Sequence, residues 1–234
     1  MSDRPTCLVT GGSSGIGLET AIRFARSGYD LALCARDEQR LNAVAERLRS
    51  EHDCRVFADS LDLAQAEAGA RFVKAAIAEL GRLDVLVNNA GLAPNCEVDA
   101  VQRSDFDATL AVNVSAVFET VQAAWGSMRD AGGGVIVNVS SLAAVDPFPG
   151  FSVYGGTKAF VETFTQAIAN EGREHGIRAF CVRPGAVNTP LLRKLFPDFP
   201  TEQRLEPAAV AELIFSLTGD GLRHSSGEVI TIRK

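Results

Sequence analysis

Short apolar runs and longer stretches of helical spacing alternate along almost the whole of this chain, and no other feature limits its fold so tightly. The runs are TCLVT (6–10), DLALCA (30–35), CRVFAD (54–59), DVLVNN (84–89), GVIVNVS (134–140), RAFCV (178–182) and EVITI (228–232). Most are continuously apolar rather than alternating, which suits strands buried on both faces of a parallel sheet. Helical stretches over 15–28, 37–50, 64–80, 103–131, 153–175 and 207–218 lie between them. This strand–helix repeat predicts an α/β fold, a doubly wound parallel sheet of seven strands with helices on both faces. The chain has 234 residues and no linker, repeat or low-complexity tract, so residues 1–234 read as one domain. The irregular stretch is NTPLLRKLFPDFPTEQRLEP, about 188–207, whose four prolines forbid one continuous helix. A segment of that length late in the chain is expected to be a lid or substrate loop.

The segment TGGSSGIG, Thr10 to Gly17, joins the first apolar run to the first helical stretch. Glycines there permit a tight turn and a close approach of backbone N–H groups to a pyrophosphate at a helix N-terminus. In a Rossmann-type sheet this is the dinucleotide loop, with Gly11, Gly15 and Gly17 as its key glycines and Ser13, Ser14 and Ile16 beside them. About twenty residues further on, an acidic side chain at the end of the second strand selects NAD, whereas an arginine accommodates the 2′-phosphate of NADP. The second strand here ends CARDE. Ala35 followed by Arg36 favours NADP(H). NAD(H) is the alternative if the strand runs on far enough for Asp37 to face the ribose.

Composition closes several other routes. A formal charge of −6 and a pI near 5.2 give no reason to expect nucleic acid or an anionic membrane as partner. No apolar run is long enough to span a bilayer, and the start MSDRPTCLVTGG lacks the form of a signal peptide. The five cysteines are odd in number and scattered, as expected of reduced core residues in a cytoplasmic protein. His52, His175 and His224 show no ligand spacing, so no metal is expected.

Further motifs follow in order: NNAG (Asn88–Gly91), NV at Asn113, NVSS (Asn138–Ser141), YGGTK (Tyr154–Lys158) and RPGAVNTP (Arg183–Pro190). Together with TGGSSGIG they resemble the single-domain short-chain dehydrogenase/reductase family over roughly residues 6–190. The resemblance implies an NAD(P)-dependent oxidoreductase that moves hydride between nicotinamide and a carbonyl or secondary alcohol. It implies Asn113, Ser141, Tyr154 and Lys158 as catalytic residues. Ser141 is preferred to Ser140 because it lies thirteen residues before the tyrosine, as in the family. It further implies Asp62 and Leu63 at the adenine, Asn89, Ala90 and Gly91 along the adenosine side, and Pro184, Gly185, Val187 and Thr189 at the nicotinamide, with Tyr154 and Lys158 also touching cofactor. Family members are commonly homotetramers or homodimers built on the two long helices, about 103–131 and 153–175. A non-catalytic dinucleotide sensor is the competing reading, although such relatives typically lose the tyrosine or the lysine.

The chemistry matches these residue types. A tyrosine O–H can protonate the alkoxide left by reduction of a ketone, but its ordinary pKa is about 10. An ammonium alongside favours tyrosinate, and positions i and i+4 share a helix face. Reaching about 7 takes roughly 4 kcal/mol. Ser141 would bind the substrate oxygen; Lys158 holding the ribose and Asn113 positioning a relay water are roles that the resemblance supplies. Taken singly, Ser141 is equally a turn or cap residue, Asn113 an exposed helical residue and Tyr154 a core residue. Phe148, Phe151, Leu142, Val145, Leu191 and Leu192 flank the expected cleft and suit an apolar substrate. Arg193 and Lys194 are either solvated or meet an acidic group. Gly155 and Gly156 replace the small or hydroxyl residues usual in the family, so either the first helical turn needs a close approach of backbone to cofactor or substrate, or the position is simply tolerant.

Overall fold

In a computed structural model of the chain, residues 4–234 are described. Seven parallel strands form one sheet: β1 (Thr6–Thr10), β2 (Asp30–Ala35), β3 (Val56–Ser60), β4 (Val85–Asn88), β5 (Gly134–Val139), β6 (Ile177–Pro184) and β7 (Val229–Ile232). Their order is β3-β2-β1-β4-β5-β6-β7. Pairing is in register from Thr6↔Asp30 in β1–β2 and Cys7↔Val85 in β1–β4 to Cys181↔Val229 in β6–β7.

The helices are α1 (Gly15–Arg26), α2 (Glu38–His52), α3 (Ala68–Leu80), α4 (Arg103–Leu110), α5 (Ala116–Asp130), α6 (Ser152–Gly172), α7 (Pro190–Leu195) and α8 (Pro207–Ser216). Successive strand residues feed opposite faces. Cys7 and Val9 pack with Phe24 of α1, Leu41 and Leu48 of α2 and Ile214 of α8. Leu8 packs on the other side with Phe72 of α3, Val121 of α5 and Ile168 of α6. Both faces of the sheet are therefore covered, which explains the continuous apolar runs. Order reverses between β1 and β4, opening a crevice beyond their carboxyl ends, where ligands bind in such sheets.

The helix expected over 64–80 begins only at Ala68, after Glu67 at a φ of +60°, and two others differ in their make-up. The stretch 103–131 is two α-helices separated by a π-helical segment, Ala111–Ser115, with Asn113 at its centre. The stretch 153–175 begins at Ser152 and ends in a short 3-10 turn, Arg173–His175. The segment 188–207 holds α7 and a 3-10 turn, Thr201–Gln203, and is tied back by a bridge between Val187 and Leu205. Cys7, Cys34, Cys54 and Cys181 are buried free thiols, and burial pushes Cys34 and Cys181 up to about 12. Among the described residues no helix is long and apolar enough to cross a membrane, and no His/Cys/Asp/Glu group could hold a metal ion.

Candidate active site

The loop leaving β1 turns sharply, with Gly11 and Gly15 at φ of +69° and +55°. Gly11 and Gly12 both donate to the Cys34 carbonyl. A Cβ on Gly17 would collide with the Gly11 carbonyl and stand 2.5 Å from Asn89 Nδ2, so only glycine lets α1 start this close to the loop. Ser14, at the N-cap of α1, makes no side-chain capping bond, and the first turn carries no acidic residue. The positive end of the helix is thus left for an external anion. Thr10 Oγ1 accepts from the N–H groups of Asn89 and Ala90, both at 3.0 Å, fastening the NNAG turn to β1. Behind it runs a buried ladder: Asn88 Nδ2 donates to Asn138 Oδ1, and Asn138 Nδ2 donates to Thr165 Oγ1 on α6, each at 2.9 Å.

One cleft of about 1010 Å³ gathers the residues singled out from the sequence. Gly11, Ser13, Ser14, Gly15, Ile16, Arg36, Asp62, Leu63, Asn89, Ala90 and Gly91 all line it, and so do Ser141, Tyr154, Lys158, Pro184, Gly185, Val187 and Thr189. Gly17 and Asn113 do not line it; both stand behind it. At its outer end β2 stops at Ala35, and Asp37 is the N-cap of α2, its Oδ1 accepting from the Arg40 N–H at 3.0 Å. Arg36 and Arg40 both face the cleft there. Asp62 Oδ1 accepts from the Ala64 N–H at 3.0 Å.

Ser141 caps a 3-10 turn, Leu142–Ala144, its Oγ accepting from the Ala143 N–H at 3.2 Å. The Tyr154 phenol is pushed above its ordinary 10 by burial, and its hydrogen bond with Ser141 works in the opposite direction. Lys158 is 5% exposed; its Nζ donates to the Val139 carbonyl at 2.7 Å and lies 5.8 Å from the centre of the Tyr154 ring. Burial lowers its ammonium to about 8. The lowering of Tyr154 that the spacing suggested is therefore absent in the chain alone: desolvation outweighs the one lowering influence, the Ser141 hydroxyl.

Asn113 is fully buried. Its Nδ2 donates to the Leu92 carbonyl at 2.8 Å and to Thr157 Oγ1 at 3.0 Å, while Oδ1 accepts from the Leu92 N–H at 2.8 Å. Both amide hydrogens are thus engaged, and one Oδ1 lone pair remains. A Cβ on Gly91 would stand 3.5 Å from both Asn113 Oδ1 and Lys158 Nζ, so these atoms border the same gap. Ser140 instead joins a structural network: its Oγ donates to Glu162 Oε1 at 2.8 Å, and Arg183 donates to both Glu162 oxygens at 2.7 and 2.6 Å.

Leu142, Phe148, Phe151, Leu191 and Leu192 line the cleft as expected; Val145 does not. Thr189 N-caps α7, accepting from the Leu192 N–H at 3.2 Å. Arg193 and Lys194 do not line the cleft, and Arg193 Nη1 donates to Asn188 Oδ1 at 2.8 Å. The two glycines of YGGTK serve different ends. A Cβ on Gly155 would stand 2.5 Å from the Ala143 carbonyl, whereas one on Gly156 would meet nothing within 4 Å. The close approach is to the backbone of the serine turn rather than to a ligand. Sequence reasoning missed Thr10, Thr157 and Glu162, hydrogen-bonding partners that lie far from their motifs in sequence, and also missed Phe196 and Phe199.

A family model described as short chain dehydrogenase matches residues 5–199. The chain is 32% identical to a 3-oxoacyl-[acyl-carrier-protein] reductase of Thermotoga maritima, over 97% of this chain and 95% of that protein. Among solved structures it superposes on L-sorbose reductase from Gluconobacter frateurii, complexed with NADPH and L-sorbose (TM-score 0.91, 27% identity, 98% of this chain and 95% of that chain). It is also similar to 3-ketoacyl-(acyl-carrier-protein) reductase from Brucella melitensis, complexed with NADH (TM-score 0.89, 28% identity, 98% and 96%).

Proposed function

The chain belongs to the short-chain dehydrogenase/reductase family, whose members interconvert alcohols and carbonyls, and from that premise we propose an NADP-dependent reductase or dehydrogenase with Tyr154 as its proton donor. The observation that carries this reading is that Ser141, Tyr154 and buried Lys158, its Nζ 5.8 Å from the Tyr154 ring, line the same cleft as the open N-terminus of α1.

The residues present fit a dinucleotide. The Gly11–Gly17 turn, the uncapped α1 N-terminus and Ser13 and Ser14 would hold the pyrophosphate. Asp62 and Leu63 would flank the adenine, Asn89, Ala90 and Gly91 the adenosine side, and Pro184, Gly185, Val187 and Thr189 the nicotinamide end. The relatives carry NADPH in one case and NADH in another. For this chain NADP is favoured because the Asp37 carboxylate already caps α2, while Arg36 and Arg40 face the cleft. When bound, the nicotinamide supplies or accepts the hydride.

The remaining work falls to the chain. Ser141 Oγ holds the substrate oxygen and Tyr154 delivers a proton to it. Lys158 keeps positive charge beside the phenol and binds ribose. Asn113 positions the site: its amide locks the π-helical segment to Leu92 and α6, and its remaining Oδ1 lone pair borders the gap next to Lys158 Nζ, where a relay water would sit. The segment 188–207 acts as a substrate lid on one Rossmann domain. Phe118 on α5 and Phe160 on α6 are exposed at either side of Phe164, which supports a homodimer or homotetramer built on these helices.

Absorbance at the reduced nicotinamide band, followed with a panel of ketones, tests the reading. Consumption of NADPH with at least one ketone is expected; cofactor binding with no turnover on any of them would contradict it.

A further inference from the structure

The substrate end of the cleft has an aromatic wall. Four rings cluster there: Tyr154 lies 5.4 Å from Phe151 between centroids, and Phe151, Phe196 and Phe148 contact one another at 5.7, 6.5 and 6.4 Å. Phe151 is buried, but Phe148 is 56% exposed at the mouth. Such a ring forgoes burial that an aromatic side chain normally gains. Phe196 ends α7, which turns Leu192 and Leu195 into the cleft. Arg204, almost buried, donates from Nε to the Phe199 carbonyl at 3.0 Å and from Nη2 to the Pro197 carbonyl at 3.4 Å. That guanidinium closes the turn after Phe196, so the ring is held in place rather than hanging from a loose loop.

Polar groups are sparse there. Apart from Ser141 and Tyr154, the cleft-lining polar side chains at this end are Thr189, whose Oγ1 is engaged in capping α7, and Glu202, Gln203, Arg233 and Lys234, which are exposed. A site that reads hydroxyl or carboxylate groups does so with buried polar partners.

Resting on the reductase reading above, we propose that the substrate is an uncharged ketone, or its secondary alcohol, bearing an aromatic ring next to the carbonyl, with that ring packed against the face that Phe148, Phe151 and Phe196 form together. The carbonyl oxygen would meet Ser141 and Tyr154 while the ring covers the exposed surface of Phe148.

The test compares an aryl methyl ketone, a short aliphatic methyl ketone, a hydroxyketone and a 2-keto acid as substrates with NADPH, in the wild type and in Phe148→Ala and Phe196→Ala. The aryl ketone should have the highest kcat/KM, and each substitution should lower the aryl-to-aliphatic ratio by about tenfold. Calorimetry supplies a second readout, with 1-phenylethanol titrated into the NADP-loaded protein and melting curves confirming that the variants fold. Binding that weakens about tenfold in Phe196→Ala supports the ring site even if no ketone turns over, in which case the reductase reading alone falls. Preference for the hydroxyketone or keto acid, an unchanged ratio in both variants, or neither aryl turnover nor binding of 1-phenylethanol would overturn the proposal.

Discussion

A methyl group added to each glycine of YGGTK should give opposite results. Both glycines lie in α6, where alanine is better than glycine by about 1 kcal/mol. At Gly156 nothing lies within 4 Å of the new Cβ, so the full gain should appear. For a chain of this size that raises the melting temperature by roughly 2–4 °C. At Gly155 the new Cβ stands 2.5 Å from the Ala143 carbonyl and 3.1 Å from Pro147 Cβ. Overpacking of this kind costs about 1–3 kcal/mol, which cancels or exceeds the helix gain. The site also suffers. Ala143 belongs to the turn capped by Ser141, so pushing its carbonyl away draws Ser141 from Tyr154. A displacement of about 1 Å there costs on the order of a hundredfold in kcat. Thermal unfolding and steady-state turnover of Gly155→Ala and Gly156→Ala measure both effects. A Gly155→Ala protein as stable and active as the wild type would refute this packing of turn on helix.

Other outcomes follow from the same geometry. Lys158 falls from 10.5 to about 8 through burial, so the folded chain binds fewer protons than the unfolded one between those values. Its cost is full below pH 8 and relieved as pH rises towards 10.5, a swing of roughly 3 kcal/mol. The unfolding free energy of wild type relative to that of Lys158→Met should rise by that amount over this range; a flat difference would contradict it. Arg36→Ala should weaken NADPH by about tenfold or more and leave NADH almost unchanged, whereas equal losses in a fluorescence titration would point to NAD. Glu162→Gln should cost about 3 kcal/mol in denaturant unfolding, because Arg183 loses its bidentate carboxylate in a nearly buried site.

The strands were easy to read because burial on both faces leaves them little besides apolar residues. The glycine loop and the Ser141–Tyr154–Lys158 set were legible as spaced motifs, and they fall in one cleft because each ends a strand or starts a helix on the same edge of the sheet. The π-helical segment at Asn113 carried no proline or glycine to mark it; it is fixed by side-chain bonds to Leu92 and Thr157, which are tertiary. The role of Gly155 was hidden for the same reason, since the carbonyl that excludes a side chain belongs to a turn twelve residues earlier. Tyr154 shows the limit most clearly. Its i,i+4 lysine was visible, but the sign of its pKa shift depends on how much water the fold removes, and burial prevails.

Tyr154→Phe tests the central claim most directly, with cofactor affinity and ketone turnover measured on the same preparation. Loss of the hydroxyl should leave NADPH binding within about twofold and lower turnover by roughly a hundred- to ten-thousandfold, the usual worth of a positioned general acid. Turnover close to that of the wild type would remove Tyr154 from the proton path and contradict the account.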